Sequence, residues 1–343
     1  MTRPITRRQM LAVSAATVAA AASGTLTSAR AAAPIVLRVS SSAPPDKYGA
    51  HYLWYKPFED NLKRLVGDQI KLEYFPNSQL GKEADVVQQV KAGSVDMMIS
   101  GPSIWATVVP EIGALDLGFL FDSYAHAFKA IDGGISTVYD KLLLDRAGVT
   151  VLGWGFQVGA RSVYTKMPVK AAADLKGVKL RVLPTKAFID TFNIIGAVPT
   201  PIPINELYTA AQTGVVDGFE HDPGTVLAYK FYEVNKYCFL TQHYYSPMLA
   251  YIGKRGLSKI TPELMPKFMQ AAAEATKQER ADVPKVEQEA VVELKAKGVV
   301  FTDVPPAERK AMADAVGKAL YGSFATQYPV TKQVFEKIEA TRG

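Results

Sequence analysis

The sequence predicts an α/β protein of two similar domains, built mainly on parallel sheets with a cleft between them. Three observations carry this. First, the order strand, helix, strand recurs along the chain. Leu37-Arg38-Val39-Ser40 alternates as a strand, and Trp54, Phe58, Leu62, Leu65 and Val66 then recur at helical spacing before Gly67. Ile70-Lys71-Leu72-Glu73-Tyr74 alternates again. Second, one local pattern occurs twice. Val86, Val87 and Val90 mark a helix that stops at Gly93 before the strand Ser94–Ile99 and the polar turn Ser100-Gly101-Pro102-Ser103. Leu207, Ala210 and Ala211 mark another that stops at Gly214 before Val215–Phe219 and the polar turn Glu220-His221-Asp222-Pro223. Any α/β protein contains such units; read functionally, they are two domains whose loops at the carboxyl ends of the strands face one cleft. Third, 343 residues with 48% hydrophobic content suffice for two well-buried cores.

The remaining elements follow in order. Val149–Trp154 and Ser162–Thr165 read as strands, Met167–Gly177 as a turn and short helix, and Val178–Val182 as a further strand. Beyond residue 261 the chain is mostly amphipathic helix, with Val291, Val292 and Leu294, then Ala311, Met312, Val316 and Leu320, on faces that pack against the domains. Residues 1–31 have the order of a cleaved export signal: the paired Arg7-Arg8, an Ala-rich apolar run from Leu11 to Ala22, and Ala29-Arg30-Ala31. The paired arginines resemble a twin-arginine signal, which places the mature protein in the periplasm.

Composition excludes several functions. The single Cys238 rules out an internal disulfide or a cysteine metal cluster, and the four His show no metal-ligand spacing, so no metal is expected. The net charge of +6 comes largely from Arg3, Arg7, Arg8 and Arg30; without them 35 basic residues face 33 acidic ones. Nucleic acid loses its support as a partner. The usual nucleotide, hydrolase and metalloprotease signatures are absent, so neither a cofactor nor enzymatic activity is expected.

Two arginines stand out on strands. Arg181 lies between Leu180 and Val182, and Arg161 follows Gly159-Ala160. A guanidinium is costly to bury unless it meets an anion. Two anions are open to each: a ligand carboxylate, or one of the chain's own acids.

Four ordered blocks, Pro76–Gly81, Gly177–Val182, Gly196–Pro199 and Glu206–Gly218, resemble the DctP-type solute-binding proteins of TRAP (tripartite ATP-independent periplasmic) transporters over about Leu37 to Phe335. The resemblance implies a two-domain periplasmic-binding-protein fold of type II-like form, joined by hinge strands. Its domains would be 34–158 plus 247–286 and 159–246 plus 287–340. It also implies a cleft that closes on a small organic acid, membrane-embedded transporter subunits as partner, and a monomer. By the family pattern Arg181 bonds the ligand carboxylate and Arg161 assists. Where the family often reads Asp-Gly-Gln-Glu-Asn, this chain reads Asp217-Gly218-Phe219-Glu220-His221, followed by Asp222.

Glu220, His221 and Asp222 near two arginines would repel a second carboxylate and accept hydroxyl donors, which favours a hydroxylated monocarboxylate such as a uronate or aldonate. A hinge or capping role for Glu220 and Asp222 stays open. Ser41, Ser42, Ser100 and Ser103 would supply neutral donors and Lys47 a cationic one. Trp154, Phe156, Phe188 and Tyr245 are either core or a wall against a sugar face. The alternatives are a C4-dicarboxylate binder of the same class, an exported enzyme acting on hydroxy acids, and a sensor that docks on a receptor.

Overall fold

The computed structural model describes residues 33–342; the export signal expected over residues 1–31 lies outside them. Its strands in chain order are β1 (Ile35–Ser41), β2 (Ile70–Phe75), β3 (Met97–Ser100), β4 (Val149–Phe156), β5 (Arg161–Thr165), β6 (Lys179–Val182), β7 (Val198–Pro201), β8 (Gly218–His221), β9 (Tyr237–Tyr244), β10 (Pro247–Gly253) and β11 (Val300–Asp303). The helices are α1 (Ala50–Val66), α2 (Glu83–Ala92), α3 (Tyr124–Ala130), α4 (Ser136–Ala147), α5 (Lys186–Ile195), α6 (Ile204–Thr213), α7 (Pro223–Ala228), α8 (Lys254–Ser258), α9 (Met265–Ala296), α10 (Pro306–Gln327) and α11 (Val330–Thr341).

The strands form two sheets, in the orders β2-β1-β3-β10-β4 and β11-β9-β5-β8-β6-β7. The repeated sequence pattern has the same backbone geometry in each. Gly93 ends α2 at φ 78° and Gly214 ends α6 at φ 80°, a left-handed turn that glycine adopts without strain. An Asp then ties the turn to the neighbouring strand. Asp96 Oδ2 accepts the Arg38 N–H at 2.8 Å and the Asp96 N–H donates to the Arg38 carbonyl at 3.1 Å. Asp217 Oδ2 accepts the Lys179 N–H at 3.0 Å and the Asp217 N–H donates to the Lys179 carbonyl at 2.8 Å.

The sheets are mixed, which corrects the expectation of mainly parallel ones. β1 pairs parallel with β2 and β3, and β6 with β7 and β8, but β10 runs antiparallel to β3 and β4, and β5 antiparallel to β8 and β9. The reason is the double crossing. The chain leaves the first sheet through β4 into β5 and returns through β9 into β10. The two crossings touch where the Gln157 N–H donates to the Ser246 carbonyl at 3.0 Å.

Helix α9 serves both sheets. Phe268, Ala271, Ala272 and Ala275, at helical spacing, enter a core with Trp54, Phe58 and the strands of the first sheet, while Leu294 enters the core under the second. Its close approach depends on Gly153 and Gly155 of β4. A Cβ at Gly153 would stand 2.1 Å from Thr276 Oγ1, and one at Gly155 2.7 Å from Glu279 Oε2. Met312 and Val316 of α10 and Val334 and Ile338 of α11 fill a third core with Ile131, Phe188 and Phe192. Val292 and Ala311, expected on packing faces, are exposed instead. The strand β11 was not anticipated from the helical periodicity around it.

Candidate functional site

The carboxyl ends of β1, β3, β6 and β8 converge on a cavity closed by the hinge crossings, the location open α/β sheets give to ligands. It offers about 50 Å³ to the centres of water-sized molecules, several times the roughly 10–15 Å³ that one water needs. Both halves of the molecule contribute to its wall: Ser42, His51, Glu83 and Asp116 from the first, Arg161, Phe188, His221 and Tyr229 from the second, and Gln157 and Ser246 at the crossings. The halves also touch directly, since the Tyr229 hydroxyl donates to the Ser42 carbonyl at 2.7 Å and Lys82 pairs with Glu206 at 2.7 Å.

The two strand-borne arginines differ in their partners. Arg161 is closed on Glu220 by a bidentate pair, Nε to Oε2 at 2.7 Å and Nη2 to Oε1 at 2.6 Å, with its guanidinium over the Phe188 ring at 5.1 Å. Only Nη1 faces away from that carboxylate, 3.5 Å from His221 Nε2. Arg181 is fully buried. Its Nε donates to the Ile202 carbonyl at 2.7 Å, and Nη1 and Nη2 have no partner. It is not among the residues that line the cavity but stands behind them, in the field of Glu83 and Tyr229, both of which border it. Burial lowers its pKa to about 10, with Glu220 opposing and Arg161 adding, so it stays charged at neutral pH.

Glu220 and Asp222 have partners inside the protein. Glu220 is on β8, not in a polar turn, and both its oxygens are engaged by Arg161, with His243 Nε2 a further 3.3 Å from Oε2. Burial alone would raise this carboxyl, but Arg161 and His243 outweigh it and hold it at about 2. Asp222 caps α7: Oδ1 accepts the Thr225 N–H at 2.8 Å, and Oδ2 stands 2.7 Å from His221 Nδ1. Neither acid is among the residues that line the cavity; Glu220 is engaged in pairing and Asp222 in capping. His221 does border it, oriented by Asp222. Burial, then Arg161, lowers His221 to about 4, and burial lowers His51 to about 4, so both imidazoles are neutral at pH 7.

The other expected residues are spread more widely. Ser41 sits behind the wall, its Oγ 2.9 Å from His51 Nδ1, and so orients His51. Ser100 and Ser103 are buried with unpartnered hydroxyls next to the wall residues Gly101 and Ile104. Lys47 is on the surface beside Glu289 at 3.5 Å, away from the cavity. Tyr245 packs edge-on against Tyr124 at 5.2 Å, and Trp154 and Phe156 are core; Phe188 is the aromatic wall. Sequence reasoning missed His51, Glu83, Asp116 and Tyr229. Glu83 had a signal, an acid in the first turn of a helix directly after Gly81. Asp116 had one too, a lone acid in the apolar run from Ile112 to Phe121.

Comparison with known proteins accords with this geometry. Residues 40–327 match the model of bacterial extracellular solute-binding protein family 7, DctP. The chain is 35% identical over 286 residues to the 2,3-diketo-L-gulonate-binding periplasmic protein of Escherichia coli K12, covering 83% of this chain and 86% of that one. Two solved TRAP periplasmic solute-binding proteins share the fold. One, from Polaromonas sp. JS666, is bound to D-erythronate (TM-score 0.82, 29% identity, 90% of this chain and 99% of that one). The other, from Pseudomonas putida F1, has bound D-glucuronate (TM-score 0.81, 28% identity, 90% and 98%). This chain belongs to the same family, the DctP-type solute receptors of TRAP transporters.

Proposed function

We propose that the protein captures a hydroxylated monocarboxylate, a uronate or aldonate, in this cavity and delivers it to the membrane subunits of a TRAP transporter. The observation that carries the reading is the unpartnered fork of Arg181. Because Glu220 already engages Arg161 through Nε and Nη2, Arg181 is the cation of the pair that has a whole unpartnered fork, and a planar carboxylate fits that fork. Neutral His51 and His221, with the Glu83 and Asp116 carboxyl groups, suit the hydroxyls of a sugar acid. The ligands named for the relatives, 2,3-diketo-L-gulonate, D-erythronate and D-glucuronate, have this chemistry. The protein acts as a periplasmic monomer whose lobes, 34–158 with 247–286 and 159–246 with 287–340, close on the ligand by bending at the crossings. Among the described residues no helix is long and apolar enough to cross a membrane.

Calorimetry with D-glucuronate, D-galacturonate, D-erythronate, L-gulonate, succinate and malate tests this. At least one sugar acid should bind, more tightly than its deoxy analogues. Arg181→Ala should weaken it by roughly 2–5 kcal/mol, and Arg181→Lys should restore only part, since an ammonium cannot reproduce the fork. Tight binding of succinate with no response to sugar acids, or near-normal affinity in both folded variants, would refute the proposal.

A further inference from the structure

We propose that Asp116 meets the bound acid as a neutral carboxyl group that donates its proton to a ligand oxygen, so that ligand capture takes up a proton from solution. This rests on the sugar-acid reading above and adds to it the protonation state of one wall residue.

Asp116 ends the 3-10 segment Pro110–Asp116 and borders the cavity, although the residue is only 2% exposed. Its Oδ2 accepts the Ser103 backbone N–H at 3.1 Å, while Oδ1 is buried with no hydrogen-bond partner. The guanidinium whose field reaches it, Arg161, is committed to Glu220, so the two largely cancel at Asp116. A second anion placed in this cavity faces a carboxylate with no cation of its own. Protonating Oδ1 removes the repulsion and turns the acceptor into a donor at the cavity wall.

The surrounding groups leave Asp116 as the site for that proton. In its own segment Glu111 is held by Arg146 at 2.6 Å. The adjoining segment Pro102–Thr107 contains no titratable residue. On α5, Lys186 and Asp190 pair with each other at 2.6 Å. On α11, Lys337 donates to the Gly133 carbonyl and Glu339 pairs with Arg342. The phenols of Tyr244 and Tyr251 are raised by burial and stay protonated. Across the cavity, burial raises Glu83 as well, but the Ser42 hydroxyl, which it accepts from at 3.1 Å, and the fields of Arg181 and Arg161 favour its ionised form, and burial keeps His51 and His221 neutral. Burial already raises Asp116 to about 6 without a ligand, against the opposing Ser103 hydroxyl and, after it, the Ser103 N–H. At pH 7 such a carboxyl is about nine-tenths ionised, which sets the uptake available to a ligand that drives it to the neutral form at about 0.9 proton.

Calorimetry of the tightest-binding sugar acid of the panel, at pH 7.0 in phosphate and in Tris, counts the protons from the difference in observed enthalpy. The wild type should take up between about 0.5 and 1 proton per ligand, and its affinity should fall several-fold from pH 7 to pH 8. Asp116→Asn, with an amide donor where the acid proton was and no proton to take up, should bind with no uptake and a flat pH profile. Binding without uptake in the wild type would overturn the proposal, and so would uptake that survives in Asp116→Asn, since the proton would then belong to Glu83 or an imidazole. If Asp116→Asn does not fold, the wild-type proton count and pH profile decide alone. If no sugar acid binds, the ligand reading falls and this inference with it.

Discussion

Replacing Glu220 by Gln tests whether the Arg161–Glu220 pair belongs to the scaffold. The substitution keeps the shape of the side chain and removes its charge, leaving Arg161, 4% exposed, with two N–H groups aimed at a neutral amide. At about 4 Å between charge centres and an effective dielectric of about 20, the lost attraction is about 4 kcal/mol. That agrees with the roughly 3–5 kcal/mol found when one partner of a buried pair is removed. His243 adds to the cost, since the oxygen it faces at 3.3 Å loses its charge as well. Urea unfolding of the ligand-free protein at pH 7 should therefore show a loss of about 3–5 kcal/mol for Glu220→Gln. The double variant Arg161→Met/Glu220→Leu should recover most of it, because no buried charge is left unpaired. A loss below about 1 kcal/mol, or single losses that simply add in the double variant, would mean that the two groups are not coupled in solution and that Arg161 is free for the ligand.

Two further outcomes follow from residues outside the cavity. Glu279 is buried on α9, accepts the Phe156 N–H at 2.9 Å and is raised by burial from 4.5 to about 8, so the folded protein keeps a proton that the unfolded chain releases. Its contribution is complete below about pH 4.5 and is lost as pH rises through about 8; Glu279→Gln should thus gain on the wild type by a few kcal/mol between pH 5 and 8 in urea unfolding, and parallel profiles would refute this. Gly224 opens α7 where a Cβ would stand 2.5 Å from the Tyr48 carbonyl oxygen of the first half. Gly224→Ala should prop the halves apart, lowering ligand affinity at least tenfold and abolishing the ligand-induced fall in radius of gyration by small-angle scattering; normal contraction would show that α7 does not gate closure.

What was legible in the sequence was what local backbone chemistry encodes. The Gly93 and Gly214 stops are each specified within a few residues, and they mark the two halves, whereas the Asp96 and Asp217 ties reach Arg38 and Lys179, 58 and 38 residues away. Strand direction was not legible, because the antiparallel placement of β5 and β10 follows from pairings far apart in the chain. The site divided in the same way. Arg161 and Arg181 were visible as charges inside apolar strands, but their different partners depend on Glu220 arriving beside Arg161 across the β5–β8 ladder. Glu220, His221 and Asp222 were read as one polar loop. Two of them continue a buried strand, where successive side chains leave on opposite faces, so the three do not line one wall together; His221 is the one that does.

The preference for one carboxylate over two follows from where the cations lie. A dicarboxylate needs a positive group at each end, and desolvating an uncompensated carboxylate costs several kcal/mol. Arg181 can serve one end. Of the lysines able to offer a second pole, Lys47 is 67% exposed beside Glu289, and Lys186 is 79% exposed and paired with Asp190. The wall itself presents Glu83, Asp116, two neutral imidazoles and Arg161, which is paired with Glu220. A second ligand carboxylate would therefore meet Glu83 and no second cation. A hydroxyl in the same place donates to Glu83 and accepts from an imidazole N–H or from the Asp116 acid proton. On the proposed reading, selectivity for sugar acids thus comes as much from Glu220 withdrawing Arg161 from the ligand as from any group that touches it.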